Sequence, residues 1–506
     1  MTDHSTEKSC GQRRNSRTIS PDELPGHATD LFADGYRLGL VAGHDDTDRL
    51  RAVYLFLAGA PDRRVELHVP LDRNRPHVPS LAAASFPAGR FEREMRDLFG
   101  ILPENHPLPR RLVRHFHWPQ GWFPMLADAG DPPEFGEPDG AYPFRTVEGP
   151  GVYEIPVGPV HAGMIEPGHF RFSVVGETIL NLKARLWFVH KGLEKLFTGL
   201  TPEQGTELAE RVSGDTTIGH ALAFSQAVED ARNHVITPDA HRIRAILLEL
   251  ERLYNHVTDL GALCNDVGHG ILNNHALRIR ETLLRLNDQV TGDRLLRGAI
   301  GPGRTRIHQL PDTGVLHRIG TGVDELASLA LNHTVVRDRF TGTATLTLEQ
   351  ATDLGVLGPV ARASGRTIDA RHDHPFLPGT FIHTPHAHTD GDVLSRFCIR
   401  AEEIRAALQL IVTTISHLDT PPTQTGSTSA TPTAPGASGV GIVEGWRGTI
   451  VHRIELAGDG TLSRVKIVDP SFLNWPALPV AMTNTIVPDF PLANKSFNLS
   501  YAGNDL

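Results

Sequence analysis

Cysteine is scarce in this chain: Cys10, Cys264 and Cys398 are all it has in 506 residues. They stand far apart and form no C-x-x-C pair. That excludes a disulfide scaffold and an all-cysteine iron–sulfur site held by this chain alone, and it suits a reducing cytoplasm. Long apolar runs are also missing. No stretch of about 18 apolar residues occurs, so no membrane-spanning helix is predicted. The polar N-terminus, MTDHSTEKSCGQRRNSRTIS, lacks the apolar core of a signal peptide. Any membrane association therefore has to come through partner subunits. An excess of basic charge is absent too: the net charge of −10 argues against a nucleic-acid binder. No G-x-G-x-x-G or Walker pattern stands in a strand–turn–helix context, so the chain is not expected to bind a nicotinamide or a nucleoside triphosphate itself.

What is present is an ordinary globular balance, 40% hydrophobic and 21% charged, with length for two to four domains. Residues 1–28 read as a disordered tail. Beyond them, apolar alternation at Tyr36, Leu38 and Leu40, and apolar runs over Leu50–Leu57 and Val65–Val69, predict three strands. A helix is predicted from about Leu81 to Phe99, with Pro87 and Gly89 delaying its start and Gly100 stopping it. Glu92, Arg93, Arg96 and Asp97 have the spacing for ion pairs on its face. This makes residues 29–118 a small α+β domain. Residues 119–150, rich in Pro, Gly and acids, read as a linker. Residues 151–506 form a larger, mainly helical domain with short strands near Gly448–Leu456 and Leu462–Val468. Within it, Glu177–Thr198 carries a helical stripe, Thr201-Pro202 opens another helix with a cap, and Pro238–Leu263 is a long helix. Asn273–Val290, Val323–Leu331 and Arg396–Ile415 complete a bundle. The low-complexity stretch 420–439 reads as a flexible loop. Histidines 372, 374, 383, 386 and 388 cluster, but lack the spacing of a helical zinc motif, and the stretch is read as a solvated loop.

Several motifs carry a family resemblance. Phe91-Glu92-Arg93-Glu94-Met95-Arg96-Asp97-Leu98-Phe99-Gly100-Ile101, then His106-Pro107-Leu108-Pro109-Arg110-Arg111, resembles the signature of the 30-kDa subunit family of respiratory complex I. Gly158-Pro159-Val160-His161 and Glu166-Pro167-Gly168-His169-Phe170-Arg171 resemble the opening of the 49-kDa subunit family and of nickel–iron hydrogenase large subunits. So does His190-Lys191-Gly192-Leu193-Glu194-Lys195; there Glu194 follows His190 by one helical turn, so the two could interact. Gly358 to Gly365, Asp369, Arg371, Asp392, Arg396, Arg400 and Glu403 match the 49-kDa family.

Two further stretches should hold cysteine pairs and do not. Arg211-Val212-Ser213-Gly214-Asp215-Thr216 to His220 and Asp469-Pro470-Ser471-Phe472-Leu473-Asn474 resemble the hydrogenase motifs R-x-C-G-x-C-x-x-x-H and D-P-C-x-x-C. The thiolate positions read Ser213, Thr216, Ser471 and Asn474. Hydroxyls and an amide do not supply the soft anionic sulfur that nickel needs, so no metal is expected. In complex I a tyrosine that contacts the quinone stands where Gly214 stands here.

The resemblance implies an α+β chain of the fused C/D type, a 30-kDa-like domain joined to a 49-kDa-like one, with a hydrogenase-large-subunit-like second domain. It implies a membrane-associated respiratory oxidoreductase subunit, peripheral on the cytoplasmic face through its partners. Those partners are a small subunit holding a 4Fe-4S cluster and integral-membrane subunits; nucleic acid is not among them. This chain alone would hold no cofactor, a quinone would bind at the subunit interface, and NAD would enter only through the complex. His161, Glu166 and His169 would handle protons near neutral pH. Arg171, Arg211, Ser213, His220 and Asp469 would line the cavity, with Arg211 paired to Asp469 once sulfur is gone. The rival expectations are a formate-hydrogenlyase large subunit evolving hydrogen and a non-catalytic scaffold.

Overall fold

The computed structural model describes residues 14–163, 165–377, 387–418, 424–426 and 436–506. The chain is α+β. Its N-terminal sheet runs Arg14–Thr18, Arg63–Leu71, Leu50–Ala58, Arg37–Asp45 from edge to edge. The last three strands pair antiparallel, and the first joins parallel. Residues 14–28 are therefore no tail, contrary to the reading of their polar composition. An edge strand needs backbone pairing more than apolar side chains. Arg14 supplies the rest, donating to the Ser438 carbonyl at 2.7 Å and lying 3.6 Å from both Glu66 and Asp230. A helix, Leu24–Ala33, follows. The tail reading of residues 1–13 falls outside the described residues.

The helix Phe86–Phe99 starts late, with Pro87 in its first turn, and stops at Gly100 in the left-handed region (φ 73°). Its acids do not form the surface ion pairs that their spacing suggests. Glu92 is buried and accepts from Ser80 Oγ and the Leu81 amide, both at 2.6 Å. Asp97 is buried and accepts from the amides of Leu112, Val113 and Arg114 at 2.8, 2.9 and 3.2 Å. Asp97 thus pins the chain to this helix as it leaves the domain. No helix or strand lies between Leu102–Glu104 and Val152–Val157.

The second domain opens with an antiparallel sheet of Val152–Val157, His169–Val175 and Thr178–Arg185. The helix expected over Glu177–Thr198 is a strand and one short helix, Leu193–Leu196. Gly176, at φ 59°, closes a tight hairpin, and Ile179 and Leu182 pair with Val174 and Phe172. An apolar stripe of this spacing fits either structure, and the hairpin decides it. Helices Pro202–Ala209, Thr217–Arg232, Pro238–Asp266, Gly270–Thr291, Thr313–Asn332 and Val393–Ser416 follow. Most of them share one apolar core. Ser438–Gly445, Gly448–Leu456 and Leu462–Val468 form the C-terminal antiparallel sheet. The loop expected over 420–439 is thus partly strand: Ser438 begins this sheet, and Gln424–Gly426 pairs with Arg304–Arg306. The remainder lies outside the described residues.

The helix Thr217–Arg232 lies directly on the strand Ser438–Gly445. A Cβ at Gly441 would stand 1.9 Å from the Ala223 carbonyl, and one at Gly439 1.9 Å from that of Ala227. This seam brings the start of the helix beside the next strand. Gly441→Ala should separate the two and destabilise the fold by about 1–3 kcal/mol. Urea unfolding matching the parent protein would contradict that seam.

Candidate functional site

The turn Ser213–Thr216 leads into the helix Thr217–Arg232. The first amides of a helix lack partners within it. Here Glu251, from the long helix Pro238–Asp266, takes those of Ile218 and Gly219 at 2.6 and 3.0 Å. Asp215 is the hub of the turn. Arg447 grips its carboxylate with both terminal nitrogens, at 2.6 and 2.7 Å, and Ser213 and Thr216 donate their hydroxyls at 3.0 and 3.1 Å. Its backbone carbonyl accepts from the Trp446 indole, Tyr254 and Asn255. Burial acts to raise the Asp215 carboxyl, but Arg447 and the two hydroxyls outweigh it and hold it at about 2. Burial pushes the Glu251 carboxyl up to about 8, against the two amides that pull it down.

The C-terminal motif meets this turn. Asp469 accepts from the Ser471 amide at 2.7 Å and lies 3.0 Å from His220 Nε2. His220 Nδ1 lies 3.0 Å from Nε2 of His452, on the strand Gly448–Leu456. All three side chains are buried, and His452 Nδ1 has no hydrogen-bond partner among the described residues. Ser500 bridges the halves: its amide donates to Ser471 Oγ at 3.0 Å, and its hydroxyl lies 2.8 Å from Ser213 Oγ. Asn474 turns to Leu357, accepting from its amide at 2.8 Å and donating to its carbonyl at 3.1 Å.

A nickel–iron centre does not fit this donor set. Both polar atoms of Asn474 are spent on Leu357, and the three hydroxyls are neutral and engaged with the protein. The nearby carboxylates, Asp215 and Asp469, are already matched by Arg447 and His220.

The opening loop reaches the same region through the C-terminus. Glu166 accepts from the Ala502 amide at 3.0 Å. Tyr501 packs on Gly168, where a Cβ would stand 2.5 Å from its ring, and meets the Trp475 ring at a tilt, 4.8 Å between centroids. Within the loop, His161 Nε2 lies 2.7 Å from the Gly168 carbonyl and His169 Nδ1 lies 3.2 Å from that of Gly158. Glu166 therefore joins the Ser213–Ser500–Ser471 cluster through the chain from Ser500 to Ala502. Arg171 turns elsewhere, over the Phe144 ring at 3.9 Å and 3.6 Å from Glu154.

Arg211 does not pair with Asp469. It is exposed and donates to the Glu207 carbonyl at 2.6 Å, one helical turn back. His220 answers Asp469 instead. His190 and Glu194 do not pair either: His190 lies 2.7 Å from the Asp505 carbonyl, and Glu194 binds Arg464 and Lys466 at 2.8 and 3.0 Å. Of the histidine cluster, His372, His374 and His388 each take a different carboxylate, Asp373, Asp62 and Glu402. His374 is buried rather than solvated, because Asp62 draws it inward. His383 and His386 lie outside the described residues. His44, Asp46 and Glu455 offer three ligand atoms within 4.8 Å, but Arg51 already binds both carboxylates.

Asp215, Glu251, Arg447, His452 and Ser500 were not singled out from sequence. Asp215 lay inside a motif, between its two thiolate positions. Arg447 offered a weak signal, since Gly445-Trp446-Arg447-Gly448 has the composition of a hairpin turn.

Comparison with known proteins defines the class. Residues 18–131 match the model of the respiratory-chain NADH dehydrogenase 30 Kd subunit, residues 266–435 that of its 49 Kd subunit, and residues 191–264 that of nickel-dependent hydrogenase. The chain is 31% identical to formate hydrogenlyase subunit 5 of Escherichia coli, an alignment covering 96% of this chain and 88% of the relative. It is 27% identical to the C/D subunit of the NADH-quinone oxidoreductase of Bacteroides thetaiotaomicron, covering 84% and 85%. Its fold superposes, at a TM-score of 0.64 and 21% identity, on a chain of an archaeal membrane-bound sulfane sulfur reductase, covering 70% of this chain and 98% of that one. The class is that of oxidoreductase subunits shared by complex I and hydrogenase complexes. Within it, this chain belongs to the family of fused 30-kDa/49-kDa subunits that includes formate hydrogenlyase subunit 5.

Glu251 makes the pH dependence of stability testable. Its folded pKa of about 8 lies above the ~4.3 of an unfolded glutamate. The folded state then holds the extra proton between those values, and stability falls as pH rises through that window. Glu251→Gln should remove that fall, gaining on the parent protein by on the order of 1–3 kcal/mol between pH 5 and pH 8. Denaturant unfolding at both pH values measures the gap; a gap that does not change with pH rejects the assignment.

Proposed function

We propose that this chain is the acceptor-side subunit of a membrane-associated respiratory oxidoreductase. Electrons pass to it from an iron–sulfur cluster of a small partner subunit, and an acceptor of the quinone class takes them at the interface. Integral-membrane partners hold the assembly on the cytoplasmic face of the membrane; among the described residues no helix is long and apolar enough to cross it. The names of its relatives, subunits of complex I, formate hydrogenlyase and a respiratory membrane complex, support this setting.

One observation carries the reading. The thiolate positions have become the bridge from Ser213 through Ser500 to Ser471, backed by the Asp215–Arg447 pair. That arrangement serves an organic acceptor and not hydrogen evolution on nickel. Quinone reduction takes two electrons and two protons per quinol formed. In this reading the protons pass through side chains of the chain itself. His161, His169 and Glu166 lie on the loop. Burial also raises the carboxyls of Asp505 to about 6 and Glu251 to about 8, which brings them into the range of general acid–base work.

A second reading, a non-catalytic scaffold, also draws on an observation: Glu166 and one ring nitrogen each of His161 and His169 are engaged with backbone groups. Purified intact complex separates the readings. It should contain no stoichiometric nickel and should reduce a short-chain quinone analogue. His161→Ala and Glu166→Gln should slow that reduction about 100-fold while subunit composition and melting temperature hold. Wild-type reduction rates in both variants would favour the scaffold, and stoichiometric nickel with hydrogen uptake would restore the hydrogenase reading.

A further inference from the structure

Buried arginines in this protein are, as a rule, answered by carboxylates: Arg244 by Glu229, Arg400 by Asp259, Arg453 by Glu66, Arg464 by Glu194. Arg396, held by the Ser496 hydroxyl and the carbonyls of Gly391 and Ala344, is an isolated exception; at the junction of the two domains several cations depart from the rule together. Arg90 and Arg93 come from the helix Phe86–Phe99, Arg110 from the segment after Leu102–Glu104, and Lys183 and Arg185 from the strand Thr178–Arg185. Among the described residues, none of the five lies within ion-pair distance of a carboxylate.

Each guanidinium is held by uncharged groups. Arg93 donates to the carbonyls of Arg110 and Arg111 at 2.8 and 2.7 Å. Arg185 donates to that of Leu112 at 2.8 Å and lies over the Tyr142 ring at 4.8 Å. Arg110 donates to the Pro143 carbonyl at 3.2 Å. Arg90 lies over the Phe472 ring at 4.7 Å and donates to Asn504 at 3.2 Å, and its Nε is buried without a partner among the described residues. Lys183 sits among them with no hydrogen-bond or ion-pair partner in the described residues. Burial first, and then the four guanidiniums, push its ammonium down to about 8.

The nearest carboxylates are committed elsewhere. Asp97 gives one oxygen to three backbone amides, and its other oxygen, without a hydrogen-bond partner among the described residues, offsets Arg93 and Arg185 only through space; Glu94 binds Lys466 at 2.8 Å, and Asp505 takes the Val189 amide at 3.0 Å. The acidic linker does not fill the gap: Asp139 goes to Arg111 and Asp128 to Arg73. Gathering like charges at a half-buried junction is costly without a counter-ion.

We propose that Arg90, Arg93, Arg110, Lys183, Arg185 and Tyr142 form a binding site for an oxyanion of the phosphate class. Guanidinium forks and a lysine are the usual donors to phosphate oxygens. The site joins the small domain, the linker and the first sheet of the large domain, so its ligand stabilises their junction. The anion comes either free in solution or as a lipid phosphomonoester.

The test uses the full chain and Lys183→Gln, a change that breaks no internal bond. At constant ionic strength, inorganic phosphate should raise the melting temperature saturably, and Lys183→Gln should move the midpoint up about tenfold, as the loss of one charge-assisted bond implies. Because a bound anion favours the charged lysine, phosphate binding at pH 8.5 should draw in protons, seen as a buffer-dependent heat in calorimetry, and the variant should lose that heat. Phosphatidylcholine vesicles with and without phosphatidic acid identify the source: saturation by phosphate alone means a soluble anion, and binding only to the acidic vesicles, weakened in the variant, means a lipid. No saturable effect of either probe, or equal midpoints in both proteins, overturns the proposal. So does capture of an acidic peptide where neither phosphate probe binds.

Discussion

Glu403 is the residue on which the architecture around the site turns. Fully buried on the helix Val393–Ser416, it accepts from Arg362 and His256, each at 2.8 Å, with Arg252 at 3.5 Å. Arg362 continues to Glu444 at 2.9 Å and Asp369 at 3.3 Å. Arg371 ties Asp369 to Glu249, and Arg252 returns from Glu249 to the carbonyls of Glu444 and Gly445. Those carbonyls end the strand that turns at Trp446 and Arg447. The lattice therefore sets the turn whose guanidinium holds Asp215. A buried pair of this kind adds little stability over an apolar equivalent, yet loss of one partner is severe because the other charge stays buried. It works as a geometric constraint more than as a source of stability.

The replaced centre makes sense as a change in charge balance. Four thiolates around a metal are neutral enough only with the metal present. Ser213, Thr216, Ser471 and Asn474 bring no charge, so the carboxylates that remain must find their partners within the protein. Asp215 has Arg447, while Asp469 is met by the His220 ring and the Ser471 amide. Glu251 faces Asp215 from the other side with no cation bonded to it among the described residues, and its raised pKa keeps a proton on it near neutral pH. Ser500 joins the two with different groups: its hydroxyl meets Ser213, 287 positions earlier in the sequence, and its backbone amide donates to Ser471, 29 positions earlier.

Much of this was legible in sequence because motifs carry their own spacing. The strands Gly448–Leu456 and Leu462–Val468, and the long helix from Pro238, were readable from local pattern. Pairings that depend on tertiary register were not. Nothing local says that Arg447 faces Asp215, 232 residues away, or that Arg211 is satisfied by a carbonyl of the helix just before it. The hairpin at Gly176 defeated periodicity because Ile179, Leu182 and Leu186 suit a helix stripe as well as a strand. Asp97 and Glu92 were misjudged for a related reason: a charged residue on a helix reads as solvated unless its backbone partners, here 11 to 17 residues away, are known.

The strand Gly448–Leu456 shows why the small domain and the site belong to one structure. Successive side chains on a strand point to opposite faces. His452 points at His220, while Arg453 points at Glu66 of the N-terminal sheet, which it binds at 3.0 Å. On the next strand, Lys466 reaches Glu94 of the N-terminal helix and Glu194 of the large domain, at 2.8 and 3.0 Å. Each of these cations has acids of the first hundred residues as partners. A one-residue slip in this sheet would turn His452 toward the small domain and Arg453 into the site. The small domain's carboxylates therefore hold the register that keeps His452 behind His220, which makes them part of the site's construction although none of them touches it.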